Sequence, residues 1–310
     1  MKRQKAKPSA EPAAAEDRLP NAQQLRQILG ADRKHFEALG AAWVAVTAMP
    51  PEHVIPQVVA TVLKEGGTRP VWKWETKDLE YVFLAWPEKE PLRAAVLLRG
   101  EKGKELKPVS ALPLAEGLPN DLTVESLYAW EHGGGANVAV TMEAGQNPMW
   151  FYDPFYERDK ADLTAGVTHT FLLSALAFGV RRALLDEVTI TQGPVYEAYA
   201  TKWLAENSGK TRVDVPPLKL DVHGKHIIYP GANFGEYQIR AVIDDVESCT
   251  LDKMPITILY TTFPFAERAP MRLPIYVSKA GLHDFTPQKG QEIDAYVWFQ
   301  GRVIDYSANE

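Results

Sequence analysis

EYQIRAVIDDV (236–246), PITILYTTF (255–263), RLPIYVS (272–278) and EIDAYVWFQGRVI (292–304) are four apolar runs of period two, separated by turns that carry Pro and Gly. Alternation sends every second side chain to one face, so each run predicts a strand with a core face and an outer face. Four such strands between Phe234 and Ile304 are the pattern of a small closed β-barrel. The pattern speaks to architecture and not to chemistry.

Upstream the period changes. Residues 1–19 (MKRQKAKPSAEPAAAEDRL) have a basic start that passes straight into Pro, Ala and acids, which predicts a disordered leader with no secretory apolar core. Asn21 can cap a helix carrying Leu25, Ile28 and Leu29 and ended by Gly30; a second helix starts near Asp32 and uses Phe36 and Leu39. A third follows Pro50-Pro51, with Ile55, Val58, Val59, Val62 and Leu63 at helical spacing and Gly66-Gly67 behind them. From 71 to 145 the runs VWKW, LEYVFLAW, PLRAAVLLR, LTVESLYAW and NVAVTMEA predict an antiparallel meander. The expected fold class is therefore α+β: an N-terminal domain over 20–145 with helices and a meander, then a separate C-terminal barrel over 222–310. Between them, 146–208 holds an aromatic crossover, a strand and a helix at Tyr196–Asn207 (Tyr199, Trp203 and Leu204 inward), and 208–221 is the expected linker.

One internal comparison stands out. DLTAGVTHTFLLSALAFG (162–179) and DFTPQKGQEIDAYVWFQG (284–301) share an Asp-Leu/Phe-Thr opening, a Gly-led entry, a long strand and a closing Gly. Chance and shared turn chemistry account for so short a likeness.

The bulk properties exclude some classes. At 310 residues, 45% apolar and 24% charged, the chain can build a sizeable core, and no apolar run approaches a membrane span. A formal net charge of −6 gives no footprint for nucleic acid, and the C-terminal region is itself acidic. The dense basic cluster, Lys2, Arg3, Lys5 and Lys7, sits in the leader and reads as a solvated tail. The single cysteine, Cys249, rules out an intramolecular disulfide and suits a reducing, cytoplasmic setting.

Several motifs lack their partners. His132-Gly133-Gly134-Gly135 matches the oxyanion-hole motif of lipase-like hydrolases, but Ser174, Ser208 and Ser278 all lie outside a G-x-S-x-G elbow, so a hairpin loop is the better reading. Ser208-Gly209-Lys210-Thr211 ends like a phosphate loop, yet the glycine that the loop needs five positions earlier is Leu204, inside a helical pattern. His223 and His226 are three apart in a strand or turn, where that offset splits the faces, and Asp244, Asp245 and Glu247 read as a solvated acidic loop. No metal and no cofactor is expected.

At the level of fold alone, 222–304 resembles an OB-type barrel, with a Gly-led last strand after Gly290 and a closing Gly301-Arg302. The resemblance implies a barrel and brings no catalytic residues with it. On the last strand Ile293, Ala295, Val297 and Phe299 face one way; Asp294, Tyr296, Trp298 and Gln300 face the other, where Tyr296 and Trp298, with Arg302, can stack a ligand or pack on a neighbouring element. The leading expectation is a cytoplasmic, non-enzymatic binding or protein-interaction protein whose acidic exterior suits a basic protein partner. One alternative is a hydrolase using Asp153, Glu157 and His169 around the 150–156 aromatic group. The other is a single-stranded nucleic-acid binder using Tyr296 and Trp298.

Overall fold

The computed structural model describes residues 39–47, 49–66, 70–130, 135–141, 148–231, 235–265 and 268–304. The helix expected from Asn21, most of the one expected from Asp32, and the leader lie outside them. Helix α1 (Gly40–Val46) leads into α2 (Pro51–Glu65), whose first turn carries Pro51 and whose buried side chains are Val54, Ile55 and Val62. Strands β1 (Trp72–Glu75), β2 (Leu79–Trp86), β3 (Leu92–Glu101) and β4 (Lys107–Ala115) form an antiparallel four-stranded sheet in sequence order.

The α+β expectation is overturned at this point. The rest of the chain is dominated by one mixed nine-stranded sheet, in the order β11-β12-β13-β14-β8-β15-β7-β6-β5, so the chain is mostly β. Its strands are β5 (Leu118–Ala129), β6 (Ala136–Thr141), β7 (Met149–Asp153), β8 (Thr168–Arg182), β11 (Ile227–Pro230), β12 (Glu236–Leu251), β13 (Met254–Phe263), β14 (Met271–Ser278) and β15 (Glu292–Val303). The C-terminal strands do not form a unit of their own. β12, β13 and β14 follow one another, but the next neighbour of β14 is β8, paired in parallel through Ile275 and Ala175, and β8 in turn pairs antiparallel with β15, which returns to β12. Period-two patterning reports which face of a strand is buried. It does not report which strand lies alongside, and here the neighbour comes from 90 residues upstream.

The same connectivity occurs twice. β5, β6 and β7 form a meander, pass through the short helix α3 (Tyr156–Asp159) and reach β8; β12, β13 and β14 form a meander, pass through the short helix α5 (Lys279–Leu282) and reach β15. Each long strand pairs antiparallel with the first strand of its own set and in parallel with the third strand of the other set, Gln300 lying opposite Tyr152 and Tyr276 opposite Leu176. The two alike stretches, 162–179 and 284–301, are the lead-ins and bodies of β8 and β15, which run side by side with Leu176 opposite Trp298.

Two cores result. Inward residues from both sets, among them Phe151, Phe171, Leu173, Tyr237, Ile275 and Phe299, make one buried cluster. On the outer face Tyr152, Leu176, Tyr276 and Trp298 pack under the β1–β4 sheet with Phe83, Leu97 and Leu112. The side chain of Gln300 fastens the two layers, accepting from Ala115 N–H at 2.9 Å and donating to Pro113 O at 3.1 Å.

Between β8 and β11 the chain makes an arm, residues 183–226. Strands β9 (Glu187–Ile190) and β10 (Leu218–Asp221) pair with each other, and α4 (Pro194–Glu206) lies between them in sequence. Tyr196, Ala200 and Val215, backed by Tyr199, Trp203 and Leu204, give the arm a small core of its own. The stretch expected as a linker, 208–221, contains part of that core together with β10.

Candidate functional site

The outer face of β11, β12, β15 and β8 continues past the cover of the β1–β4 sheet and runs under the arm. Two cross-strand rows can be read from the register: Tyr229, Gln238, Tyr296 and Gly179 in one, Ile227, Arg240, Asp294 and Arg181 in the next. Ile228, Ile239, Val180 and Ala295 belong to the inner core, so both rows point outward. They floor a cleft of about 520 Å³, with Val188 and Val222 of the arm on one wall and His283 on another. That volume is in the range of small-molecule sites.

The floor is held by an ion pair between the buried Arg240 and the half-buried Asp294. Arg240 binds Asp294 with two bonds, Nε to Oδ1 at 2.7 Å and Nη2 to Oδ2 at 3.1 Å, while its Nη1 donates to the carbonyls of Leu185 at 2.6 Å and Val222 at 3.4 Å. One guanidinium therefore ties both ends of the arm to β15. The hydroxyl of Tyr296 donates to Glu236, and its ring meets Phe178 at 5.5 Å. Gly179, opposite Tyr296, leaves a gap: among the described residues a Cβ there would meet only the carbonyl oxygen of Gly281, at 3.9 Å.

The sequence-derived candidates fall in different places. Tyr296 lines the cleft, whereas Trp298 is buried under the β1–β4 sheet, stacked on Tyr152 at 5.7 Å. Arg302 is also buried; its Nη2 donates to Glu116 at 2.7 Å, and Arg93 approaches the same carboxylate at 3.6 Å. Asp153, Glu157 and His169 are not brought together. Gln300 lies opposite both Tyr152 and Ser174, so His169, five residues along β8 from that row, is about 17 Å away from it. Glu157 pairs with Lys160 at 2.9 Å, and the His169 ring meets Phe171 at 6.1 Å.

Asp153 is fully buried at the end of β7. Its Oδ1 accepts from Phe155 N–H at 2.8 Å, and Oδ2 has no hydrogen-bond partner among the described residues. Burial, with Asp159 adding to it, pushes the carboxyl up to about 8. Phe155 packs against Trp72 and Phe83, so the aromatic group plugs the seam between the sheets.

The remaining motifs resolve as structure. Of His132-Gly133-Gly134-Gly135, only Gly135 is among the described residues, and it packs so closely on Tyr152 that a Cβ would lie 2.1 Å from the hydroxyl. Thr211 caps a single turn through Asp214. His223 turns to Glu292 at 3.1 Å while His226 turns to Phe263. Asp244 sits at an irregularity in the β12–β13 register, and no cluster of metal-ligating side chains occurs among the described residues. Burial pushes the Cys249 thiol up to about 11, away from nucleophile chemistry.

No protein-family model, no curated protein and no solved structure matches the chain.

The sequence missed Tyr229, Gln238, Gly179 and Arg181 as one site. They come from three strands spread over about 60 residues, and β11 and the end of β8 carry no motif.

Proposed function

We propose that the protein is a non-enzymatic binding protein whose binding surface is the cleft under the arm. The observation that carries this reading is the floor. Tyr229 is 64% exposed and Gln238 is exposed beside it, on a sheet face whose outward rings Tyr152, Tyr276 and Trp298 are buried beneath a second sheet. Aromatic rings beside an amide and a guanidinium form a concave surface with few, placed polar groups, which is the composition of a recognition site. Such a surface uses side chains the fold has no need to leave open.

Gly179→Val is the test. The added side chain enters the gap on the floor, Gly179 does not have a left-handed φ, and a β-branched residue suits a strand, so the variant keeps its fold. Thermal unfolding of both proteins is followed against a panel of small molecules and peptides. A ligand at 100 times its dissociation constant adds about 2.7 kcal/mol, a shift of a few degrees at this size. The wild type is expected to shift with at least one compound, and Gly179→Val to lose that shift while keeping its own midpoint. Retention of every shift by the variant would remove the cleft from the account.

A further inference from the structure

The charges that line the cleft do not cancel. Asp294 is the one acid among its described lining residues, and Arg240 already takes both of its oxygens. Arg181, with a side chain 73% exposed, reaches the same carboxylate only at 4.0 Å. A chain with a formal net charge of −6 thus presents a surplus guanidinium among the described residues that line this cleft. Arg181 and Gly179 lie on the same face of β8, two residues and about 7 Å apart. The Gly179 gap is bordered by Tyr296 across the strand pair. His283, on the wall, has φ 51° and ψ −121°, a conformation that a non-glycine residue holds only when its surroundings fix it.

Resting on the reading of the cleft as the binding surface, we infer that its ligand is a small organic anion with the acidic group attached to a ring. The ring lies over the backbone of Gly179 beside Tyr296, and the acid meets the guanidinium of Arg181. A planar fork of donors suits a carboxylate or a phosphate, and a ring set against tyrosine gains contact that water cannot supply. Aromatic carboxylates, mononucleotides and acidic sugars share this chemistry. The surplus guanidinium among the lining residues favours an acidic ligand over a basic one, in contrast to the basic partner that overall composition suggests.

Isothermal titration of the full chain with three matched pairs separates these sources: benzoate and benzamide, adenosine monophosphate and adenosine, glucuronate and glucose. One acid is expected to bind about tenfold or more tightly than its neutral partner, the contribution of a charge-assisted hydrogen bond. Arg181→Gln should remove most of that ratio without moving the unfolding midpoint, since the side chain is exposed, and Gly179→Val should abolish binding of both members. Neutral compounds that bind as tightly as the acids, or an affinity for the acid that survives Arg181→Gln, would overturn the anion and leave the cleft standing. If none of the six binds the wild type, the ligand class is wrong, and the Gly179→Val comparison on the wider panel then decides the cleft by itself.

Discussion

Replacing Asp153 with Asn should change how stability depends on pH. The native state holds a proton on Asp153 up to about pH 8, whereas an unfolded aspartate releases it near its ordinary value of 3.8. Between those values the native state binds one more proton than the unfolded state, so stability falls as pH rises, by roughly 1.4 kcal/mol per pH unit from this group. The contribution is complete below about pH 4 and gone above about pH 8, a difference on the order of 5 kcal/mol across the window. Asn keeps the acceptor for Phe155 N–H but places an amide NH2 where Oδ2 has no partner among the described residues, at a cost of about 1–3 kcal/mol. The variant should therefore be the less stable protein near pH 4 and the more stable one near pH 9. Urea unfolding at intervals from pH 4 to pH 9, followed by tryptophan fluorescence, measures both curves. The difference between them cancels every ionisable group that the two proteins share. Parallel curves that never cross would mean that Asp153 does not hold its proton in the native state, and the account of the seam as a dry plug would be refuted.

Other consequences follow from single contacts. Arg240→Ala removes the bidentate pair with Asp294 and both carbonyl contacts to the arm, so it should cost about 2–3 kcal/mol and open residues 183–226 to limited proteolysis while the β1–β4 sheet stays protected from hydrogen exchange. Gly117→Ala should cost more: its Cβ would lie 2.4 Å from the carbonyl carbon of Leu172 on β8, where backbone has to move, so a soluble yield or unfolding midpoint equal to the wild type would contradict the placement of β5 against β8.

The fold was legible in proportion to how local its determinants are. The alternation at 292–304 placed Ile293, Ala295, Val297 and Phe299 on the core face, where they are buried, because the pleat fixes that relation within the strand. Helix α4 was equally readable, since Tyr199, Trp203 and Leu204 pack within an arm that carries its own core. Strand partners were not readable. A run such as THTFLLSALAFGVRR satisfies period two whichever edge it joins, and β8 joins β5, β14 and β15 at once. The likeness of 162–179 to 284–301 was the one sequence signal of that arrangement, and its meaning depended on the two strands lying side by side.

The site followed the same division. Tyr296 was identified from its face of the last strand, but the same reasoning selected Trp298, two residues on and on the same face, and the two have opposite fates. What separates them is the edge of the β1–β4 sheet, which covers Trp298 and stops short of the row holding Tyr229, Gln238 and Tyr296. No local property of the strand encodes where a second layer ends. Gly179 is subtler still, since a closing glycine at the end of an apolar run reads as turn chemistry. Gly301 closes the alike stretch of sequence in the second set but lies on the inward face of β15, where a Cβ would meet Phe151 at 2.8 Å, while Gly179, past the irregularity in β8, lies on the outward face and meets open space among the described residues. Two glycines alike in sequence context thus do different things: one lets a core ring approach the backbone, and the other leaves room on a surface. A Cβ is excluded at Gly301 by the fold, so only its absence at Gly179 is available to be explained by what enters the cleft.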